Sequence, residues 1–560
     1  MPDSSSFVII QKVIYMFRDI LAQDQLVFND FIQIECHGSE LCFANIFAWK
    51  NYDKLQIFVN DNLLIIKGKN FFFPPLVKNV DYQKGLDFIQ NYCEEKQFPF
   101  AIYGVTEKFL PLLKIKNTHL TPHPELDEYL YNAQDLVTYS GKKFHSKRNL
   151  FNQFNKLSYE FVTYQKTMRN DIARLIDEWA SDNEQTYEKE GIFALLDNIE
   201  VINCFCDCII IDGKVEAFTI GSSLHDIGIV LFEKANTAYP GIYAAIVHLV
   251  AKKHFQNVKY INRQEDMGIE NLKKSKLSYN PSGFIRKWHL TYDFETQARN
   301  IYRYRFNDSL DYQEFFFSHK IKEAHYLESN KIIKAMLFSR SQKLIFHQQE
   351  IHSKILFALA SHPFYEKQGY MKELLTKLFT EWFNTIPIIT LHPAISNFYQ
   401  HLGFIEFDFL PLVPANQSLD DNIKLQKIAQ IYETIASKYD VYEKREITRW
   451  EEIQNELMLT GGKISYLKDK EKIIGYLIND GEEITEVITN ENFLVKSNNL
   501  LRIINLDYIL RACSFIPEVS IQVIDNLIPQ NNILIIGKTK QIKTMTIAEL
   551  SKIIFKNTRF

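Results

Sequence analysis

Between Ile355 and Phe379 the chain reads "ILFALASHPFYEKQGYMKELLTKLF": an apolar run, a polar loop with one glycine, then an amphipathic helix. A helix N-terminus presents unpaired backbone N–H groups and a partial positive charge. A loop entering it through Gly369 can cradle a diphosphate, with Lys367 and Lys372 as supplementary cations. The alternative is a plain strand-to-helix turn in which Pro363 ends the strand and Gly369 relaxes the backbone. Two further clusters carry comparable chemistry. Lys142, Lys143, Lys147 and Arg148 form an unopposed cationic run, which holds a phosphate or forms a solvated face. Asn262, Arg263, Glu265 and Asp266 directly follow an apolar strand, with Gly268 and Lys276 beyond them. Ligand-binding polar groups collect at such strand ends, and so do salt-bridged loops.

Cys204, Cys206 and Cys208 alternate along "CFCDC" and point to one face of a strand. No second Cys or His pair stands at ligand spacing nearby, so buried thiols are expected there and no metal.

Those residues need elements to position them. A chain of 560 residues holds several domains. In "CDCIIIDGKVEAFTIGSSLHDIGIVLFEKA" the Asp212-Gly213 pair between apolar runs predicts a hairpin, followed by a third strand. Helices over about 242–254 and 268–277 flank a short strand, and one long helix is expected over about 171–190. The same order, a meander and then βαβα, begins again near Phe294. There Met371, Leu374, Leu375, Leu378, Phe379, Trp382 and Phe383 recur at helical spacing, so one buried stripe is expected. "IPIITL" reads as a buried strand, "ISNFYQHL" as a short helix and "FIEFDFL" as a strand. A hairpin is expected in "GGKISYLKDKEKIIGYLI", and the terminal "TIAELSKIIF" reads as a helix.

Two resemblances sharpen these readings. The loop, together with "NFYQHLGF", resembles the GNAT acyltransferases, whose acyl-CoA loop has the pattern R/Q-x-x-G-x-G/A. Gly369 matches, whereas Glu366 stands at the Arg/Gln position and Met371 at the last small one. The resemblance implies that Leu359, Ala360, Ser361, Lys367, Gln368, Gly369, Tyr370, Met371 and Lys372 form the acetyl-CoA (acyl-CoA) site. It also implies that Tyr399 acts as general acid toward the thiolate leaving group. The second half further resembles the Eis-type N-acetyltransferases, in which a terminal carboxylate serves as base; here that role falls to Phe560. The phrases "YSGKKFHSKRN", "FEKANTAYPGIY" and "INRQEDMGIENLKKSKLSYNP" resemble the soluble C-terminal domain of phosphatidylglycerol lysyltransferases. That likeness implies a phosphate or acyl-donor site at Lys142, Lys143, Lys147, Arg148, Asn262, Arg263, Asp266 and Lys276, with aminoacyl-tRNA as donor.

The expected fold class is α+β: tandem GNAT-like acyltransferase folds, mixed sheets flanked by helices, with a small C-terminal sterol-carrier-like domain. The expected domains are 1–125 and 126–293 for two GNAT-like halves, 294–415 for a GNAT N-acetyltransferase domain, and 416–560 for a reduced central segment plus that last domain. The expected function is acetyl transfer from acetyl-CoA to a small-molecule or peptide amine. The alternatives are aminoacyl transfer from tRNA to a lipid or peptide, and a non-enzymatic scaffold. With 64 basic against 68 acidic residues the net charge is -4, which offers no global attraction to nucleic acid, so no DNA partner is expected. No apolar run approaches the roughly 18 residues that cross a bilayer. A cytoplasmic protein is expected, with peripheral membrane contact left open and the oligomeric state undetermined.

Overall fold

The computed structural model describes residues 15–489 apart from 33–37, 184–187, 321, 347–348, 383–384, 387, 392–404, 407–417, 438–440 and 481–483. Beyond 489 it describes only the strands Ala512–Cys513, Ile521–Gln522 and Thr544–Met545. The chain forms two compact units, Met1–Asp293 and Phe294–Phe560, each α+β with mixed sheets flanked by helices. Among the described residues no helix is long and apolar enough to cross a membrane.

The first unit is organised by a seven-stranded sheet. Its central elements are α1 (His145–Phe154), β1 (Cys204–Ile211), β2 (Lys214–Leu224), β3 (Ile227–Ala235), α2 (Ile242–His254), β4 (Tyr260–Asn262) and α3 (Glu270–Leu277). Asp212 and Gly213 both take positive φ, 51° and 76°, which closes the β1–β2 hairpin with the right-handed twist of its strands. Of the expected long helix, Arg169–Asn183 and the stretch from Glu188 are helical, the latter running on to Asp197, and 184–187 lie outside the described residues. β3 and β4 run parallel with α2 as their crossover, but they pair only from Ile227 to Ile229. One residue of β3, Leu231, is left over where the β2–β3 register shifts between Ile220 and Gly221, a bulge that bends the strand. β3 therefore leaves β4 after three residue pairs.

The second unit repeats that event. It comprises α4 (Phe294–Arg305), α5 (Leu310–Ser318), β5 (Glu323–Ser329), β6 (Ile332–Phe346), β7 (Gln349–Ser361), α6 (Tyr370–Trp382) and β8 (Ile388–Leu391). Strand alternation divides the β6 side chains between two layers. Ala335 and Leu337 pack under Leu374, Leu375, Leu378, Phe379 and Trp382 of α6. Met336 and Phe338 pack under Ala298, Ile301, Tyr302 and Phe316 of α4 and α5. The predicted stripe of α6 is thus buried, with Met371 packed partly against the same core and Phe383 outside the described residues. β7 and β8 pair in parallel over Ser353–Leu356, and β7 continues to Ser361 paired with β6 but no longer with β8. Opposite Leu337, β7 carries two residues, Ala358 and Leu359, with Ala358 at φ 49°. This bulge, like that of β3, lies just past the point where the parallel strands part.

α7 (Leu425–Ala436) and α8 (Ile447–Thr460) precede the antiparallel strands β9 (Lys463–Asp469), β10 (Lys472–Asn479) and β11 (Ile484–Thr489). They have their own core around Tyr432, Trp450 and Tyr476, and the order of two helices and three strands matches α4, α5 and β5–β7. The hairpin expected in "GGKISYLKDKEKIIGYLI" is β9–β10. The helix expected in "ISNFYQHL" and the terminal helix lie outside the described residues.

Two glycines mark the helix entrances that follow the parted strands. Gly241, at φ 92°, opens α2, and a Cβ there would stand 2.3 Å from the Leu150 carbonyl oxygen of α1. Gly369, at φ 85°, opens α6, and a Cβ there would meet nothing within 4 Å. One entrance is covered by a neighbouring helix, and the other is covered by nothing among the described residues. Gly369→Ala is expected to cost only the left-handed backbone penalty, about 1–2 kcal/mol. Gly241→Ala adds a clash with backbone, for a total of about 2–4 kcal/mol. Urea unfolding of the two variants beside the parent checks the order.

Candidate functional site

In unit 2 the parting of β7 from β8 leaves the β8-facing backbone edge of Phe357–Ser361 without a strand partner among the described residues. That edge runs directly into the loop and the N-terminus of α6. The sequence-predicted residues are distributed along this path. Leu359 packs partly against the α6 core and Ala360 is buried against α4 and α5. Lys367, at φ 59°, Gln368 and Gly369 are exposed, and Lys372 is exposed on the first turn of the helix. Tyr370 stands edge-on to Tyr365 at 6.0 Å. Met371, which departs from the small-residue pattern, packs into the core below and leaves the loop clear. Tyr399 and Phe560 lie outside the described residues.

Three residues that the sequence reading did not single out complete the loop. Arg305, the last residue of α4, donates from Nε to the Ser361 carbonyl at 2.9 Å and pairs with Glu366 at 2.5 Å. Lys334 lies over the rings of Tyr365 and Tyr370, at 4.1 and 5.3 Å. His362 is buried, its Nδ1 accepting from the Phe364 N–H at 3.2 Å. Burial first, then the positive charges of Arg305 and Lys334, lower its pKa to about 4, so it is a neutral imidazole at physiological pH. Arg305 stands 61 residues before Glu366 in sequence, and no spacing rule links them.

In unit 1 the corresponding parting of strands is bridged. Arg263 leaves the end of β4 and donates from Nη2 to Glu233 of β3 at 2.7 Å, spanning the gap between the two strands. Burial opposes its charge, and Glu233 together with Tyr279, Tyr131 and Tyr139 outweighs that and raises its pKa. Its guanidinium also lies over Tyr279 at 4.5 Å and Tyr131 at 5.8 Å, while Nη1 is buried with no hydrogen-bond partner among the described residues. A buried unmatched donor on a charged group is costly. Lys147 faces the same aromatic wall, 3.6 Å from the Tyr279 ring. Lys276 donates from Nζ to the carbonyls of Arg263 and Gln264. Burial, with Arg263 as the next cause, lowers both lysines to a pKa of about 8.

The rest of the predicted unit 1 cluster shapes this pocket or lies outside it. Asn262 donates from Nδ2 to Glu128 at 2.7 Å and accepts the Gln264 N–H, holding the loop after β4. Asp266 accepts from the Tyr129 hydroxyl at 2.5 Å and from the Gly268 N–H. The cationic run is not unopposed. Lys143 pairs with Asp135 at 2.6 Å, and Arg148 donates to the carbonyls of Tyr139 and Gly141. Lys142 is exposed, so of the four only Lys147 joins Arg263. Glu128, missed from the sequence, is buried and accepts from Ser39 and Asn262, with Lys287 at 3.2 Å and bridging onward to Glu40. Burial, partly opposed by Lys287 and augmented by Glu128, raises Glu40 to about 7. On β1, Cys206 and Cys208 are buried and Cys204 partly so, and burial pushes the Cys204 thiol up to about 12. Among the described residues no group of His, Cys, Asp or Glu is arranged to hold a metal.

Residues 31–291 match the family described as phosphatidylglycerol lysyltransferase, C-terminal, and residues 288–406 match the acetyltransferase (GNAT) domain. The chain thus carries a lysyltransferase-type domain followed by a GNAT domain. The GNAT match falls almost wholly in the second unit, and both units are α+β with mixed sheets flanked by helices. An uncharacterized protein of Mycoplasmoides gallisepticum is 27% identical over 233 residues, 39% of this chain and 73% of the relative. A conserved protein of unknown function from Bacteroides thetaiotaomicron is 28% identical, with a TM-score of 0.46, over 50% of this chain and 99% of the other. The C-terminal domain of a putative lysylphosphatidylglycerol synthetase from Agrobacterium fabrum is 12% identical, with a TM-score of 0.39, over 49% of this chain and 93% of the other.

A lysine with a pKa near 8 is charged below that pH and neutral above it, so the pocket around Arg263 loses positive charge as pH rises through 8. Acetic anhydride acylates only neutral amines. Peptide mapping is expected to show half-maximal labelling of Lys147 near pH 8, well below the 10.5 of an ordinary lysine. Tyr279→Leu, which removes the aromatic cover, is expected to move that midpoint upward.

Proposed function

We propose that the protein is an acyltransferase that takes an acetyl group from acetyl-CoA, bound in unit 2, and passes it to an amine. The family matches support acyltransferase-type domains of the transferase class. The observation that carries the choice of cleft is the contrast between the two glycine entrances. Backbone of α1 covers Gly241 and Arg263 spans the strands in unit 1, whereas among the described residues a Cβ at Gly369 meets nothing within 4 Å and the β7 edge past Leu356 has no strand partner.

A pantetheine chain is an amide ribbon that can pair with such an edge as a further strand does, and a diphosphate suits the N-H groups of α6 beyond it. The buried Nη2 of Arg305, without a partner among the described residues, adds a donor of the right kind at the same loop. In this reading the chain orients the thioester, N-H groups of the β7 edge stabilise the oxyanion as the amine attacks, the Phe560 carboxylate takes the proton the amine loses, and Tyr399 protonates the thiolate that leaves. Titration calorimetry of the full chain with acetyl-CoA tests it. One site per chain is expected, lost in Gly369→Glu, which fills the open entrance with an anion. Tyr399→Phe is expected to keep binding and to slow transfer by about 10²-fold or more. Absence of binding by the parent chain overturns the reading.

A second reading concerns unit 1 and rests on the unmatched Nη1 of Arg263 beside Lys147 and Lys276. There the site would hold the phosphate-bearing end of an aminoacyl-tRNA and transfer its aminoacyl group to a lipid or peptide. Labelled aminoacyl-tRNA supplied to the full chain tests it. Transfer that is lost in Lys147→Ala and kept in Gly369→Glu would assign the activity to unit 1.

A further inference from the structure

The acyl-CoA loop of unit 2 has a glutamate, Glu366, where its pattern calls for a cation or amide, so that position carries a negative charge beside the exposed Lys367 and Lys372. The fold sets a cation from a different element beside it. Arg305 ends α4, on the opposite face of the sheet from α6, and reaches the loop at the end of β7. Each of its three nitrogens stands differently. Nε is committed to the Ser361 carbonyl at 2.9 Å, and Nη1 to Glu366 at 2.5 Å. Nη2 is buried and has no hydrogen-bond partner among the described residues.

The surroundings favour an anion at that nitrogen. His362 is 8% exposed and neutral, so it adds no competing charge, and Lys334 adds a second positive one. Arg305 and Lys334 together outweigh Glu366 by one charge. Glu366 is 49% exposed, so it can turn to water, while Arg305, at 25%, is held by its bond to backbone.

We propose that Arg305 supplies the diphosphate-binding cation of this loop and that Glu366 occupies it, as an internal carboxylate, until the diphosphate arrives. This rests on the reading that unit 2 binds CoA. The guanidinium keeps its backbone bond, Nη2 donates to a diphosphate oxygen, and the Glu366 carboxylate is displaced from Nη1 or shares it. Glu366 then weakens binding by competition, and Arg305 strengthens it through a charge-assisted hydrogen bond.

Calorimetry of the full chain with acetyl-CoA and with acetyl-pantetheine, which lacks the diphosphate, separates the contributions. Arg305→Met is expected to weaken acetyl-CoA binding about tenfold or more and to leave acetyl-pantetheine unchanged. Arg305→Lys, which keeps the charge but not the fork, is expected to fall between the two. Glu366→Gln, on the exposed side of the pair, is expected to tighten acetyl-CoA binding severalfold, and it serves where Arg305→Met disturbs the loop. Equal acetyl-CoA affinities in parent, Arg305→Met and Glu366→Gln overturn the role of Arg305 and leave the CoA reading standing. Equal losses for both ligands make Arg305 a structural residue and overturn it as well. No binding of acetyl-CoA by the parent removes both.

Discussion

Two parallel strands that begin paired and then part are the constraint on which each unit depends. Parallel pairing satisfies backbone groups on both strands, and ending it after three pairs in unit 1 and four in unit 2 leaves a polar backbone edge to be matched by something else. The bulges that bend β3 and β7 lie just past the parting, so the separation is built into the register with the neighbouring strand. The crossover helix then presents its N-terminus close to that edge. A polar edge beside a positive helix end is a place for a ligand whichever chain builds it.

The two units answer the same constraint in different ways. In unit 1 a side-chain ion pair, Arg263 with Glu233, fills the gap, and α1 packs over the entrance of α2 so closely that only glycine fits at position 241. The result is a buried cationic and aromatic pocket set back from the helix end. In unit 2 nothing among the described residues fills the gap or the entrance, and the charge of Glu366 in the loop is balanced by Arg305 of another element. Divergence between units of one architecture has therefore come from what covers the split strands. A buried guanidinium nitrogen without a hydrogen-bond partner among the described residues occurs in both places, and each marks where an anion would complete the hydrogen bonding.

Burial tunes the charges in these places. Lys147 and Lys276 are lowered because each loses water and faces Arg263, and His362 stays neutral for the same two reasons applied to Arg305 and Lys334. Cations packed close together discourage one another from carrying full charge until an anion arrives, which couples ligand binding to proton uptake.

Much of this architecture was legible in the chain itself. The Asp212-Gly213 hairpin, the buried stripe from Leu374 to Trp382 and the strand that ends at Asn262 follow from periodicity and turn chemistry, because neighbours within a few residues decide them. The bulge at Leu231, which bends β3, did not follow from that pattern. Nor did the pairing of Lys143 with Asp135, which removes it from the cationic run, or the choice of Lys147 as the member that faces Arg263. Local sequence determined that a glycine would stand before α2 and before α6. Only the tertiary structure decided that α1 closes the first and that nothing described closes the second, and only it brought Arg305 to Glu366 across 61 residues. The reason is physical: turns and amphipathic faces are set by short-range backbone and side-chain preferences, whereas coverage and charge balance depend on which distant surfaces the folded chain presses together.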